Sequence, residues 1–344
     1  CPKKVDDVYN EKLIKRKAIY VPYSQAVPLK YAIDAENCIY LQKGKCGACE
    51  KNCPSGAINF NDSKKTIALK VGSLILAPGF ISFDPAGIDT YSYAGLPDVV
   101  TSMEFERILS ATGPYAGRLM CPSSMRGKNP LGKPPQKIAW LQCVGSRDIN
   151  RCDNGYCSSV CCMYAVKQTV MAKDHSNTPL DCAVFYMDIR TQGKDFDRYT
   201  ENARSRGVRF IPARVHTVEP IPGTEALLLR YATDDGQRQE ETFDMVVLST
   251  GLEVSRDAVE LSNTLGIELD KYYFTRTDSF HPVATSIPGI YACGVFTGPK
   301  DIPQSVMEAS AAACAATENL AAARNTRTNE IKMPPQRDVN LSLI

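Results

Sequence analysis

Cysteine placement restricts this chain more than any other feature: of fourteen cysteines in 344 residues, nine crowd into two short stretches. Cys38, Cys46, Cys49 and Cys53 form the first group, and Cys143, Cys152, Cys157, Cys161 and Cys162 the second. Nothing at the start reads as a basic region, apolar stretch and cleavage site, so thiolate ligation of metal is a better reading than secreted-type disulfides. Cys121, Cys182, Cys293 and Cys314 are scattered and read as buried small hydrophobes. His175, His216 and His281 share no metal-ligand spacing and read as structural or surface residues. The formal charge of +2 is spread without a Lys/Arg block, which argues against nucleic acid and anionic lipid as partners. No apolar run approaches the roughly 20 residues of a membrane helix. These features describe a cytoplasmic globular chain, long enough for two or three units. It opens at Cys1 rather than Met, and reads as a fragment, a processed product or part of something longer.

Around the cysteines the apolar pattern alternates strand and helix. Residues 71–79 (VGSLILAPG) are a continuous apolar run ending in Pro-Gly, as expected of a buried parallel strand whose tip meets a ligand. Residues 137–141 predict a strand, 160–173 a helix, 183–189 a second strand, 196–206 a polar-faced helix and 208–211 a third strand. Residues 227–231 and 242–248 close a further sheet, 290–295 form a strand and 305–323 an Ala-rich helix. That order argues for a doubly wound α/β fold. Upstream, 16–69 reads as a small unit with short strands at 57–60 and 66–69, for which bound metal would supply missing stability. Residues 118–136 read as a Pro/Gly/Lys-rich loop. Within it GKNPLGKP (127–134) matches G-x4-G-K, but Pro134 stands where magnesium chemistry needs Ser or Thr, so nucleotide hydrolysis is rejected.

The first cysteine group, followed by Pro54, reads C-x7-C-x2-C-x3-C-P, close to the bacterial ferredoxin run in which thiolates on a tight loop clasp a [4Fe–4S] cubane. The C-x2-C turn sets two thiolates on adjacent corners, and Gly47 permits close approach of backbone N–H groups to the sulfides. The first gap is longer than in ferredoxins, an insertion that an exposed loop tolerates. Cys1 is an alternative to Cys38, and a zinc knuckle is the alternative to the cluster.

The second group begins where the 137–141 strand ends. In a dinucleotide-binding domain that tip carries G-x-G-x-x-G, with the pyrophosphate on the following helix N-terminus. Here Gln142, Cys143 and Val144 occupy the turn and only Gly145 remains, so NAD(P) is not expected to bind in the usual way. Cys143 at the strand tip and Cys157, Cys161 and Cys162 at the start of the helix are candidate ligands of a second cluster. Adjacent Cys161 and Cys162 lie about 100° apart on a regular helix, so both ligate only from the first turn; otherwise one is a core cysteine.

The stretches RKAIYVPYSQAVPLKYAID, QCVGSRD, YCSSVCCMYAVK, FYMDIRTQGKDF and GVFTGPKDIPQSVMEASAAA resemble the A subunit of the heterodisulfide reductases, from Cys1 to about Ala323. The resemblance implies a flavoprotein scaffold of thioredoxin-reductase type with an inserted small α+β ferredoxin-like [4Fe–4S] domain. It also implies a second [4Fe–4S] cluster in place of a pyridine nucleotide, on Cys143, Cys157, Cys161 and Cys162, leaving Cys152 spare. The expected domains are 1–70, the ferredoxin-like insert with its lead; 71–110 with 247–325, FAD-binding; 111–246, NAD(P)-like with the second cluster; and 326–344, a polar tail.

Ala77-Pro78-Gly79 and Thr250-Gly251 resemble the strand-to-loop turns that flavin reductases set beside FAD. Residues 290–300 resemble the segment that holds the ribityl chain, with Gly294, Val295 and Phe296 as candidate contacts, although the usual Asp is absent. Ile302, Pro303, Gln304 and Ser305 open the long helix, whose N-terminus would stabilise charge on a reduced flavin. Lys167 is read as a catalytic cation near the flavin N5, with a solvated helix lysine as the alternative. No G-x-G-x-x-G for the adenine half of FAD occurs between Cys1 and Ile344, so that half is expected on a missing N-terminal part or a separate polypeptide.

The resulting expectation is an electron-transfer protein with two clusters and a shared FAD. The resemblance implies flavin-based electron bifurcation among a hydrogenase or formate dehydrogenase module, ferredoxin and a disulfide-reducing module, in a complex of heterodisulfide-reductase-type subunits with a homodimeric core. The alternatives are plain relay in a related sulfur-metabolism complex and a wiring module without flavin. An NAD(P)H-dependent disulfide reductase is disfavoured, because the only C-x-x-C lies inside the ferredoxin run.

Overall fold

Strands that must be buried on both faces are written as unbroken apolar runs. Two such runs, Lys137–Val144 and Met245–Thr250, form the centre of the first of two units in a computed structural model that describes residues 1–126 and 132–321. The first unit comprises 1–68, 79–256 and 299–301, and the second 69–78, 257–298 and 302 onward. The cysteine-bearing segments 1–70 and 111–246 thus share the first unit almost wholly. The expected tail at 326–344 and most of the G-x4-G-K stretch lie outside the described residues.

In chain order, Lys4–Asp6 (β1) pairs antiparallel with Lys15–Lys17 (β2), and Ile19–Tyr20 (β3) with Ala32–Ile33 (β4). Ile39–Lys43 (α1) and Ala48–Lys51 (α2) carry the first cysteine group. Leu74–Leu76 (β5) belongs to the second unit, and Ile81–Ser82 (β6) returns to the first. There follow Val99–Thr101 (β7), Ser102–Leu109 (α3), Lys137–Val144 (β8), Ile149–Cys152 (α4), Cys161–His175 (α5), Asp181–Tyr186 (β9), Phe196–Ser205 (α6) and Val208–Pro212 (β10). Val215–Pro220 (β11), Leu227–Ala232 (β12) and Arg238–Phe243 (β13) precede Met245–Thr250 (β14) and Leu252–Glu253 (β15). Arg256–Leu265 (α7), Ile290–Ala292 (β16) and Ile302–Leu320 (α8) complete the order.

The first unit is built on a five-stranded parallel sheet, β10-β9-β8-β14-β7. Phe105 and Ile108 of α3 and Val166 and Val170 of α5 pack on one face around Trp140, whose ring meets Phe105 edge-on at 5.4 Å. The antiparallel sheet β11-β12-β13 covers the other face through Val218, Leu229 and Phe243 against Phe185 and Leu248. The expected single strand at 242–248 is two strands in different sheets. Asp244 marks the break: its carboxylate accepts the Gln136 and Lys137 N–H groups at 2.8 and 3.0 Å, so the chain crosses there from one sheet to the other. In the second unit β5 and β16 pair in parallel, and α8 starts three residues earlier than expected.

Two expectations fail. Residues 57–60 and 66–69 form no strands; Phe60 stacks on Tyr40 at 3.9 Å and Ile67 and Leu69 are exposed, because a short apolar run becomes a strand only where a partner edge is available. Cys314 is exposed rather than buried, whereas Cys121, Cys182 and Cys293 are buried as expected. Burial raises the Cys182 thiol to about 12. No helix among the described residues is long and apolar enough to cross a membrane.

Gln168 ties the helical face together. Fully buried, it accepts from Trp140 Nε1 (3.1 Å) and donates to the Ser102 carbonyl (3.0 Å). Replacing it with Leu leaves both partners unsatisfied and away from water, so Gln168→Leu is expected to cost roughly 2 kcal/mol or more. Trp140 is the single tryptophan, and its fluorescence in a urea titration reads that loss as a lowered midpoint.

Candidate functional site

The tip of β8 requires glycine where the chain leaves it. Gly145 has φ +78, and a Cβ there would fall 2.1 Å from the Phe83 ring. Facing it, Gly251 donates its N–H to the Val144 carbonyl (2.8 Å) and accepts from the Phe83 N–H (3.0 Å). A Cβ on Gly251 would meet Ser158 Oγ at 2.8 Å and the Gly145 carbonyl at 3.1 Å. The chain's own atoms therefore fill the turn in which a glycine-rich loop leaves room for phosphate.

Cys143 departs from the extended path at φ +61, a conformation that costs a non-glycine residue about 1 kcal/mol and is retained chiefly where the surroundings enforce it. Helix α5 begins at Cys161, so Cys161 and Cys162 both stand in its first turn. Cys143, Cys161 and Cys162 are buried, and the Cys161 thiol lies within hydrogen-bonding reach of the other two. The contact separates their acidities. Cys161, the donor, is pushed well above the ordinary thiol range. Cys143, which accepts from Cys161 and faces the Arg147 guanidinium, is lowered to about 7 in spite of burial, and Cys162 is lowered by the same donor.

Cys157 is half-buried, and its Sγ accepts the Ser159 N–H at 3.4 Å. Its connection to the other three runs through the segment after β9. The Asp188 carboxylate binds Arg147 and Arg190, the latter through Nε and Nη2 at 3.1 Å each. The Arg190 side chain reaches Cys157, the Arg190 N–H donates to Cys162, and Cys162 Sγ lies 3.9 Å from the Asp188 carbonyl. Arg147, Asp188 and Arg190 are not singled out by the sequence pattern; the available signal is their place directly after two neighbouring parallel strands. Cys152 stays apart, its Sγ donating to the Asp148 carbonyl at 3.0 Å.

Three buried thiols, two guanidinium groups and the fully buried Ser146, whose Oγ has no hydrogen-bond partner, suit a group of anionic sulfur atoms, as an iron–sulfur cluster is. The thiols touch one another and would have to part to admit a cubane. Among the described residues no three His, Cys, Asp or Glu side chains are set as a metal-ion site.

The first group is more open. Cys38 is buried at the N-cap of α1, Cys46 is exposed at φ +102, and Cys49 lies within α2. Hydrogen bonds from Ser55 and the Ala57 N–H (3.3 Å) lower the Cys53 thiol. The structure does not draw these four thiols into a metal-ion site, and Cys1 is exposed.

The flavin candidates divide between the units. Ala77 and Pro78 follow β5 in the second, whereas Gly79, Thr250 and Gly251 belong to the first. Thr250 is buried; its Oγ1 lies 3.2 Å from Ser102 Oγ, and its carbonyl accepts from the Tyr164 hydroxyl. In the second unit Gly294 has φ +70 and its N–H donates to the Glu308 carboxylate at 3.0 Å, which Thr297 also contacts at 2.9 Å. Glu308 thus supplies a carboxylate at the turn where the sequence pattern lacks its usual Asp. Val295 and Phe296 are buried, and Ile302, Pro303, Gln304 and Ser305 make the first turn of α8, with Ile302 exposed. Lys167 is held by both Glu106 oxygens, at 2.9 and 3.0 Å.

The sequence profile of the pyridine nucleotide-disulphide oxidoreductases matches residues 32–313. This chain belongs to that family. Within it, the chain is 39% identical over 325 residues to the iron-sulfur A subunit of the CoB–CoM heterodisulfide reductase of Methanocaldococcus jannaschii, covering 93% of this chain and 47% of that protein. It is 39% identical over 319 residues to the A subunit of the H2/formate:CoB–CoM heterodisulfide,ferredoxin reductase of Methanococcus maripaludis, covering 92% and 46%. The chain spans about half the length of the curated relatives it matches. A solved thioredoxin reductase of Lactococcus lactis, 16% identical, aligns with 73% of this chain and 66% of its own, at a TM-score of 0.43. The resemblance to the heterodisulfide reductase A subunit holds, as does the oxidoreductase scaffold expected from sequence.

If each cysteine group holds its own cluster, as the sequence pattern leads one to expect, a simple result follows. Cys161→Ala removes about half the iron and leaves the remainder dependent on Cys49, and Cys49→Ala does the reverse; iron and acid-labile sulfide counts on anaerobically prepared variants check both.

Proposed function

We propose that this chain is the cluster-bearing part of the A subunit of a heterodisulfide-reductase-type complex, an electron-transfer protein with two [4Fe–4S] clusters and a share in one FAD. The observation that carries this reading is the convergence of Cys143, Cys161 and Cys162, with Cys157 tied to them through Arg190, on a strand tip closed to phosphate. Cys143, Cys157, Cys161 and Cys162 would hold one cluster, and Cys38, Cys46, Cys49 and Cys53 the other in a ferredoxin-like insert. When bound, the clusters supply single-electron transfer and the flavin exchange of electron pairs.

For the flavin, the second unit supports a site completed by another segment. Leu74 N–H bonds to Gly289 and Leu76 carbonyl accepts from Cys293, so the parallel ladder directs the Ile75 N–H and carbonyl to the opposite edge. The far side of β16 is already taken by Val283 and Thr285. A two-stranded parallel sheet with a half-exposed Ile75 is an incomplete α/β layer, and relatives twice as long have the material to extend it. Gly294, Val295, Phe296 and the 302–305 turn, with Ala77 and Pro78, would then contact FAD from the second unit, whereas for Gly79, Thr250, Gly251 and Lys167 of the first unit a flavin role rests on the resemblance alone.

The relatives are named for H2 or formate, ferredoxin and the CoB–CoM heterodisulfide, which fits the partners proposed here: other heterodisulfide-reductase-type subunits, ferredoxin, and a hydrogenase or formate dehydrogenase module, in the cytoplasm. On this reading the protein works within electron bifurcation, in a complex with a homodimeric core. A second reading, a wiring module without flavin, is favoured by the lack of G-x-G-x-x-G in 1–344. Anaerobic purification with the native neighbouring polypeptides, followed by iron, sulfide and FAD assays on one sample, separates the two. About eight irons with one FAD is the expected result; the same iron without FAD withdraws bifurcation in favour of relay, and iron near zero removes both readings.

A further inference from the structure

The two ends of the parallel sheet treat charge differently. At the N-terminal ends of β8, β9 and β10, Lys137 and Arg209 meet Asp181 and Glu241 in a closed network: Arg209 contacts both Asp181 oxygens at 2.9 Å and Glu241 at 2.7 Å, and Lys137 meets Glu241 at 2.7 Å. Two cations face two carboxylates, and the charges cancel. At the other end Arg147 and Arg190 share the single carboxylate of Asp188. One positive charge is left over there, beside the thiols of Cys143 and Cys157.

Asp188 acts as a bracket. Its carboxylate holds two guanidiniums on one side, while its own carbonyl and the Arg190 N–H meet Cys162 on the other. Two of the four candidate ligands, Cys157 and Cys162, are thereby contacted from a segment that contributes no cysteine, and Arg147, which Asp188 holds, reaches Cys143. Partly exposed ion pairs such as these are screened by solvent and add only modest stability, so their use here is positional.

Resting on the reading of Cys143, Cys157, Cys161 and Cys162 as cluster ligands, we propose that Arg147 and Arg190, fixed by Asp188, set the reduction potential of that cluster. Reduction adds one electron and no proton, so it adds one negative charge to a site whose sulfur atoms are already anionic. A guanidinium at hydrogen-bonding range favours the reduced form and raises the potential. Arg147 and Arg190 are positioning and tuning residues; neither is a ligand.

The test is an EPR-monitored redox titration of the full chain, purified anaerobically with its native neighbouring polypeptides, following the signal that Cys161→Ala removes. Arg147→Gln and Arg190→Gln should each retain iron and keep that signal while lowering its midpoint, by a tenfold change in electron affinity, roughly 59 mV for one electron. Arg190→Lys, which keeps the charge, should recover most of the shift, an outcome that a merely structural role would not give. Unchanged midpoints in both glutamine variants overturn the tuning role while leaving the cluster in place. Absence of any signal dependent on Cys161 in the unaltered protein overturns the cluster reading itself. Should Arg190→Gln lose iron by freeing Cys157, Arg147→Gln decides alone, since its contact is with Cys143.

Discussion

The close approach of two strand tips governs the first unit. Val144 at the end of β8 and Gly251 after β14 are joined by a backbone hydrogen bond of 2.8 Å, and neither Gly145 nor Gly251 has room for a Cβ. Everything that distinguishes the site follows from that contact. It fixes the turn from which Cys143 projects, seats Ser158 against Gly251, and allows Tyr164 of α5 to bond the Thr250 carbonyl, so that the helix bearing Cys161 and Cys162 is registered to the strand bearing Cys143. Cys143 thus meets the adjacent Cys161 and Cys162 by sheet and helix packing rather than by a local loop.

Burial of ionisable sulfur is costly unless charge or hydrogen bonds compensate it, and the molecule handles the two cysteine groups in different ways. In the second group Cys143, Cys161 and Cys162 are buried and are answered by one another and by the Arg147 guanidinium. The first lies on and beside short helices, with Cys38 buried and Cys46 exposed, and at Cys53 the thiol is answered by Ser55 and backbone N–H groups. A small segment of this kind has little apolar area to bury, so whatever it binds contributes directly to its folding. The second site, by contrast, is framed by the parallel sheet and by α5, which pack into the core of the first unit.

What the sequence made legible was whatever repeats along the chain. Unbroken apolar runs located β8, β9 and β14, and the pattern placed a helix from residue 160, one residue before α5 begins at Cys161. Cysteine spacing proposed the site. Contacts between segments far apart were not legible: Phe83 lies more than fifty residues from Gly145 and fills its turn, Glu308 answers Gly294, and Asp188 gathers two arginines. The short apolar pieces at 57–60 and 66–69 carried a strand-like composition with no partner edge, and composition alone cannot provide one.

A pyridine nucleotide enters and leaves with each turnover, so a domain that binds one must keep an open glycine loop at its strand tip. A cluster held by thiolates stays. Once a resident group takes over the transfer of electrons at that tip, the loop no longer has to admit phosphate, and bulk there becomes an advantage because it excludes water from the sulfurs. Phe83 packed over Gly145, the filled Gly251 contact and the buried Ser146 suit, on the proposed reading, such a resident group. On the proposed reading, the scaffold of a pyridine nucleotide-disulphide oxidoreductase has kept its parallel sheet and its helix register while replacing a mobile carrier with a fixed one.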